Sequence, residues 1–168
     1  MKVFIITGAC GSGKSTIKDV LESILDNTKY ACIDCDEVGL NWWDYAGTDH
    51  ESKYKDDTLA KAVEMAEGKD MVFVSCINPV DYISSQEIPE CIESTYFIVL
   101  NPEDEEIIKR LKARPAERGF TSDEKIEPHV GFNRWFRKNK GKFNLYIDNT
   151  AQSVDETAKL IEDFIRRN

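Results

Sequence analysis

The sequence predicts an α/β fold in which a parallel sheet is covered by helices on both faces. Three observations carry this. Val3-Phe4-Ile5-Ile6 is a continuous apolar run, not an alternating one, as expected of a parallel strand buried on both sides. Segments of strand character then alternate with segments of helical periodicity along the chain, the mark of repeated βα units. Finally, Gly8, Gly11 and Gly13 crowd into the turn after the first strand, where glycine costs backbone entropy and must answer a need for bare backbone.

The elements follow in order. The first strand leads into Gly8-x-x-x-x-Gly13-Lys14-Ser15, the phosphate-binding loop pattern. From Ser15 a helix is expected, with Ile17, Val20, Leu21, Ile24 and Leu25 spaced by three and four on one stripe. Residues 29–34 read as a second strand, and 54–67 as a helix with Leu59, Val63 and Ala66 inward. Residues 71–74 form a third strand, bounded by Gly68 and by Asn78-Pro79, and 95–100 a fourth. Asn101-Pro102 reads as a cap followed by proline at the first helical position, with acids in the first turn of a helix that runs to about residue 113. Residues 115–126 read as a mobile polar loop, 129–139 as a helix and 144–148 as a fifth strand. Ser153-Val-Asp-Glu156 is a capping box, and its helix has Val154, Ala158, Ile161 and Ile165 as its stripe. No repeat or linker interrupts residues 1–168, so a single domain is expected.

The loop has a physical purpose. A chain that wraps a polyphosphate turns successive N–H groups inward, in conformations a side chain would penalise. The following helix adds unpaired N–H groups and partial positive charge. Lys14 can reach the terminal phosphates, and the Ser15 hydroxyl can ligate Mg²⁺.

Composition narrows the partners. The net charge is −9, which argues against nucleic acid. No apolar run has membrane-spanning length, and the strand at residue 2 leaves no room for an export signal, so a cytoplasmic protein is expected, monomer or homodimer. Charge is uneven: residues 109–142 hold 11 basic and 4 acidic residues, the remainder 11 basic and 27 acidic. All seven arginines lie at position 110 or later, a candidate clamp for a small anion such as ATP. Five cysteines suggest free thiols. Cys32 and Cys35, three apart on a strand, should face opposite sides and share no metal. Cys10 lies inside the phosphate loop, where a small filler or a favoured thiolate are both readable.

Asp34 and Asp36 fall at the end of the second strand, beside the loop. One could orient the magnesium shell and the other accept a proton from an attacking hydroxyl; Asp36 could equally cap a helix. With these residues in place, the chain resembles the small P-loop kinases, the group that contains shikimate, gluconate, nucleoside and nucleoside-monophosphate kinases. The resemblance spans nearly the whole chain. It rests on Gly8 to Thr16, on Asp34-x-Asp36, on Arg110, Arg114-Pro115 and Arg118 after the fourth strand, and on Asp148-Asn149-Thr150 before the last helix. It implies a three-layer P-loop NTPase fold, a five-stranded parallel sheet of order 2-3-1-4-5 with helices on both faces and a lid near 114–126. It implies that Gly8, Gly11, Ser12, Gly13, Lys14, Ser15, Thr16, Asn149 and Thr150 hold ATP, and that Ser15 and Asp34 hold Mg²⁺. Asp36 would bind or deprotonate the acceptor, and Arg110 and Arg114 would neutralise the transferring phosphoryl group. Residues 35–92 would hold the acceptor.

Two rivals differ in class. Asp36-Glu-Val-Gly39 matches a GTPase switch, but only about 20 residues separate Lys14 from Asp36, and Asn139-Lys140-Gly141-Lys142 lacks the guanine-reading aspartate. An ATPase or nucleotide-binding regulator without a small-molecule acceptor fits the same loop. For the acceptor, residues 35–100 contain no arginine, unlike a site built for a monophosphate or a carboxylate such as shikimate. A neutral hydroxyl acceptor, nucleoside or sugar-like, is expected, gripped by Asp36 and Asn78; the alternative is a nucleoside-monophosphate or shikimate-type kinase, whose anionic acceptor Arg110, Arg134 and Arg137 could reach. Trp42, Trp43, Tyr45 and Tyr54 could stack on it or pack a short helix. His50 and His129 have no ligand-like spacing.

Overall fold

The computed structural model describes residues 1–80 and 88–168. The part of the expected acceptor region at 81–87 lies outside the described residues. Five strands form one parallel sheet: β1 (Lys2–Thr7), β2 (Tyr30–Asp34), β3 (Asp70–Val74), β4 (Ser94–Leu100) and β5 (Leu145–Ile147). Their order is β2-β3-β1-β4-β5, as the resemblance implied. Val3 lies opposite Met71 on one side and Thr95 on the other, so β1 is central and its Val3–Ile6 run is buried on both faces, which is why the run does not alternate. The described helices are α1 (Lys14–Ile24), α2 (Tyr54–Met65), α3 (Asp104–Lys112), α4 (Asp123–Lys138) and α5 (Val154–Arg167).

Two apolar clusters lie on the two sheet faces. Phe4, Ile6, Val72 and Ile98 meet α1 and α5 through Ile17, Leu21, Ile161 and Ile165. Val3, Ile5, Met71 and Phe73 meet α2 through Leu59 and Ala62. A third cluster, Ile107, Leu111, Ile126 and Val130, closes α3 against α4 beneath Ala9 of the loop. Cys32 packs on the first cluster and Cys35 on the second, so the two thiols do face opposite ways. Among the described residues no helix is long and apolar enough to cross a membrane.

Several local expectations need correction. Residues 123–126 belong to helix α4, not to a mobile loop, because Ile126 and Val130 are buried against Ile107 and Leu111. Pro128 sits inside that helix, where it forfeits one backbone hydrogen bond that the apolar face outweighs. Asn101 does not cap α3: Glu103 holds the cap position, while Asn101 is buried and its amide donates to Asn133. The 54–67 helix stops at Met65, and Glu67 and Gly68 turn the chain with φ of 52° and 80°. Val154 and Ile24 point outward, and Thr157 and Leu25 complete those stripes. Strand β5 runs only from Leu145 to Ile147, yet Asn144 just before it extends the pairing, its N–H donating to Phe97 O and its side chain accepting from Phe97 N.

Candidate active site

The loop between β1 and α1 is held open by glycine. At Gly8, with φ of 148°, an added Cβ would lie 2.4 Å from the Leu100 carbonyl and 2.7 Å from Ser12 Oγ. Gly13, with φ of 98°, takes the N-cap position of α1 in the left-handed region without any side-chain cap, which leaves the first amides of the helix for an anion. Lys14 Nζ donates to the carbonyls of Gly8 (2.8 Å) and Ala9 (3.1 Å), so its ammonium lies along the loop. Ser12 Oγ is buried with no hydrogen-bond partner among the described residues, a polar atom that a bound group can satisfy. This glycine cradle, the uncapped helix end and the lysine together fit a polyphosphate.

The far wall comes from residues distant in sequence. Arg110 on α3 donates to the carbonyls of Ser12 (3.3 Å) and Asn149 (3.2 Å), and its Nε to Glu106 (2.9 Å). The Asn149 amide donates to Ser12 O at 2.9 Å. Thr150 accepts from the Glu103 N–H and donates to Asp148, fixing the turn that leads to α5. Beside this wall, Gly13, Thr16, Arg110, Asn149 and Gln152 border a cavity of about 210 Å³. Thr16 is exposed at its lip.

On the β2 side, Ser15 Oγ donates to Asp34 Oδ2 at 2.8 Å. A hydroxyl against a carboxylate is the oxygen donor set that Mg²⁺ takes, so Ser15 and Asp34 fit that ion. Asp34, not Asp36, is the capping residue: its Oδ1 accepts from Asp36 N, and Glu37 answers at Asp34 N, closing a capping box on the turn Cys35–Glu37. The Asp36 carboxylate is therefore exposed and uncommitted to the cap. Ligand atoms of Asp34, Cys35 and Asp36 lie within 4.8 Å of one another. Burial pushes the Cys35 thiol far above its ordinary value, with Cys76 and the two aspartates adding to the rise.

The segment after β2, expected from the sequence to hold the acceptor, is aromatic and acidic. Tyr54 receives the edges of Trp42 and Tyr45, each at 5.2 Å between ring centroids. Trp42 and Tyr45 thus pack α2 at least in part, whereas Trp43 is 78% exposed. Tyr45 donates to Asp57 Oδ2 at 2.9 Å, and that carboxylate holds the phenol above its ordinary pKa. Burial first, then the charges of Cys35 and Asp36, raise Tyr54 as well. The Asn78 side-chain Oδ1 accepts from Val80 N, so it shapes the chain after β3.

On the lid side, Arg114 is exposed, donates to Cys10 Sγ at 3.3 Å and lies 5.5 Å above the Phe120 ring. Phe120 in turn packs edge-on against His129 at 5.2 Å. Burial lowers the His129 pKa, and Arg114 and Lys14 lower it further by repulsion. Lys112 and Asp123 form an ion pair of 2.8 Å across the base of this segment.

Two residues escaped sequence reasoning. His129 lacks any motif, but the structure brings it within the field of Lys14. Lys18 looks like an ordinary helix lysine, yet its side chain is 8% exposed and pairs with Glu37 at 2.8 Å and Glu22 at 3.2 Å. Burial alone would lower its pKa; the two carboxylates outweigh that and hold it above the ordinary lysine value. It pins α1 to the β2 turn that bears Asp34 and Asp36. Its i,i+4 partner Glu22 was the one visible signal.

A family model described as an AAA domain matches residues 5–129. A search of curated proteins returns no match. Among solved structures, the deoxyadenosine kinase from M. mycoides with products bound aligns with a TM-score of 0.60 at 16% identity, covering 99% of this chain and 100% of that one. The shikimate kinase from Bacteroides thetaiotaomicron aligns at 0.63 and 14%, covering 98% of each chain. A sugar kinase from a Janibacter species aligns at 0.69 and 15%, covering 99% of this chain and 95% of that one. At these identities the likeness is one of fold, that of the small P-loop kinases.

Proposed function

The chain belongs to the AAA-domain family, and from that premise we propose that it is an ATP-dependent phosphotransferase acting on a small hydroxyl-bearing molecule, nucleoside or sugar-like. The observation that carries this reading is the pairing of a glycine cradle with two carboxylates of different engagement. Asp34 is tied to Ser15 and to a cap, while Asp36, two residues on, is exposed beside it.

Each residue then has a task. Gly8 to Gly13 and the first amides of α1 wrap the phosphates, and Lys14 exchanges the carbonyls of Gly8 and Ala9 for phosphate oxygens. Ser15 and Asp34 would hold Mg²⁺, which draws charge from the phosphates during transfer. The acceptor oxygen bonds to the γ-phosphorus, the bond from that phosphorus to the ADP oxygen breaks, and the hydroxyl proton passes to Asp36. Arg114 faces the transferring group from the lid segment 114–122, and Arg110 adds positive charge from behind the loop it braces. Asn149, Thr150 and the adjoining cavity seat the base of the nucleotide.

The test is ADP formation from Mg·ATP with and without a panel of nucleosides, nucleoside monophosphates, sugars and small hydroxy acids. The reading expects turnover that depends on a hydroxyl acceptor without an anionic group. Turnover of ATP indifferent to every acceptor would favour an ATPase instead, and preference for a monophosphate would leave the kinase and replace its substrate class.

A further inference from the structure

The segment that closes the acceptor side is more specific than an absence of arginine. From residue 35 to 57 it carries Asp36, Glu37, Asp44, Asp49, Glu51, Asp56 and Asp57 against Lys53 and Lys55. Its residues fold around a cavity of about 420 Å³ bordered by Asn41, Asp44, Tyr45, His50, Lys53 and Asp57. One wall is the Tyr45 ring, whose hydroxyl is held by Asp57. Tyr45 meets Tyr54, and Tyr54 meets Trp42, which is 40% exposed. Burial raises the Tyr54 pKa, and the charge of Asp36 adds to the rise.

Carboxylates and aromatic faces together recognise one chemistry better than any other. A neutral polyol would meet Asp44 and Asp57 only as hydrogen-bond donor, leaving their charge unmatched. An anion would be repelled. An ammonium supplies a counter-ion to the carboxylates and an attractive partner for indole and phenol faces. Lys53 borders the same cavity and offsets part of this field, against the two carboxylates of Asp44 and Asp57.

We propose that the acceptor is a hydroxyl-bearing organic cation, an aminosugar or amino alcohol, whose ammonium is held by Asp44, Asp57 and the aromatic wall while its hydroxyl faces Asp36. The inference rests on the kinase reading and narrows its substrate class.

The experiment uses matched pairs that differ only in amine against hydroxyl: glucosamine with glucose, galactosamine with galactose, ethanolamine with ethylene glycol. Nucleosides are assayed alongside. Acceptor-dependent ADP formation is measured for the full chain and for Asp44→Asn and Asp57→Asn, each checked for folding by circular dichroism. At least a tenfold advantage in kcat/KM for the amine of one pair is expected, and it should reside mainly in KM. Each variant should raise the KM of the amine at least fivefold while kcat moves less, bringing the pair together. Equal kcat/KM within every pair, turnover of nucleosides but of no amine, or an advantage that survives both substitutions would overturn the inference and leave the kinase standing. No acceptor-dependent turnover with any compound would remove the kinase reading and this inference with it.

Discussion

Replacing Gly8 by alanine tests the claim that the loop needs bare backbone. Two costs add. The backbone at φ of 148° is one an L-residue rarely adopts, and holding alanine there costs on the order of 1–3 kcal/mol. The new methyl would also lie 2.4 Å from the Leu100 carbonyl, a backbone atom of β4 that cannot swing aside, and 2.7 Å from Ser12 Oγ. Forcing such contacts costs roughly another 1–3 kcal/mol. The sum, about 2–6 kcal/mol, should lower Tm by about 5–20 °C in a domain of this size. Gly39→Ala is the control: its φ is 79°, but nothing lies within 4 Å of the added Cβ, so only the conformational cost remains, about 1–2 kcal/mol. Thermal denaturation followed by circular dichroism compares the two, and calorimetry with an ATP analogue reads the loop itself. If Gly8→Ala melts within about 2 °C of Gly39→Ala and binds the nucleotide normally, the cradle is not as tight as the geometry says.

Four further outcomes are expected. Lys14→Ala should keep its fold, since the lysine donates only to two loop carbonyls, and should lose about 10²–10³ in turnover; near-normal rates in a folded variant would remove the phosphate assignment. Asp36→Asn should leave ATP affinity and stability nearly intact, because Asp34 is the cap, while kcat falls by about 10²–10⁴; Asp34→Asn should instead shift the Mg²⁺ dependence. Trypsin should cut after Arg118, and a non-hydrolysable ATP analogue should slow that cleavage; identical rates with and without it would argue against a lid. The pKa of His129 is depressed on folding, so between its unfolded value near 6.5 and its lower folded value the unfolded chain binds the extra proton. Stability should therefore fall as pH drops through that window, by at most about 1.4 kcal/mol per pH unit from this group, and His129→Gln should flatten the slope in urea titrations at pH 5–7.5.

What the sequence made legible was whatever lies close along the chain. The loop is read from eight consecutive residues, the central strand from four, and the last helix from the Ser153–Glu156 box, whose two reciprocal hydrogen bonds the structure contains. The misreadings share one cause. Residues 123–126 look polar and loop-like because one residue among them, Ile126, carries the apolar signal, and its partners Ile107 and Leu111 belong to another helix. Asn101-Pro102 has the local form of a helix cap, but Asn133 on α4 competes for the asparagine and wins by burial.

The same reasoning separates the two halves of the proposed phosphate site. Its inner surface is local, set by glycine spacing, and any reader of the motif finds it. The support behind that surface is not: Arg110 reaches Ser12 across 98 residues and Asn149 reaches the same carbonyl across 137. Both donate to Ser12 O, so the loop is braced at that carbonyl with no anion bound. Such preorganisation spares the protein the cost of ordering the loop on binding. A turn of glycines alone would be free to collapse. The Arg110 helix and the turn at Asn149 brace the loop, the helix packed against it through Ile107, Leu111 and Ala9, the turn following Ile147 in the sheet core.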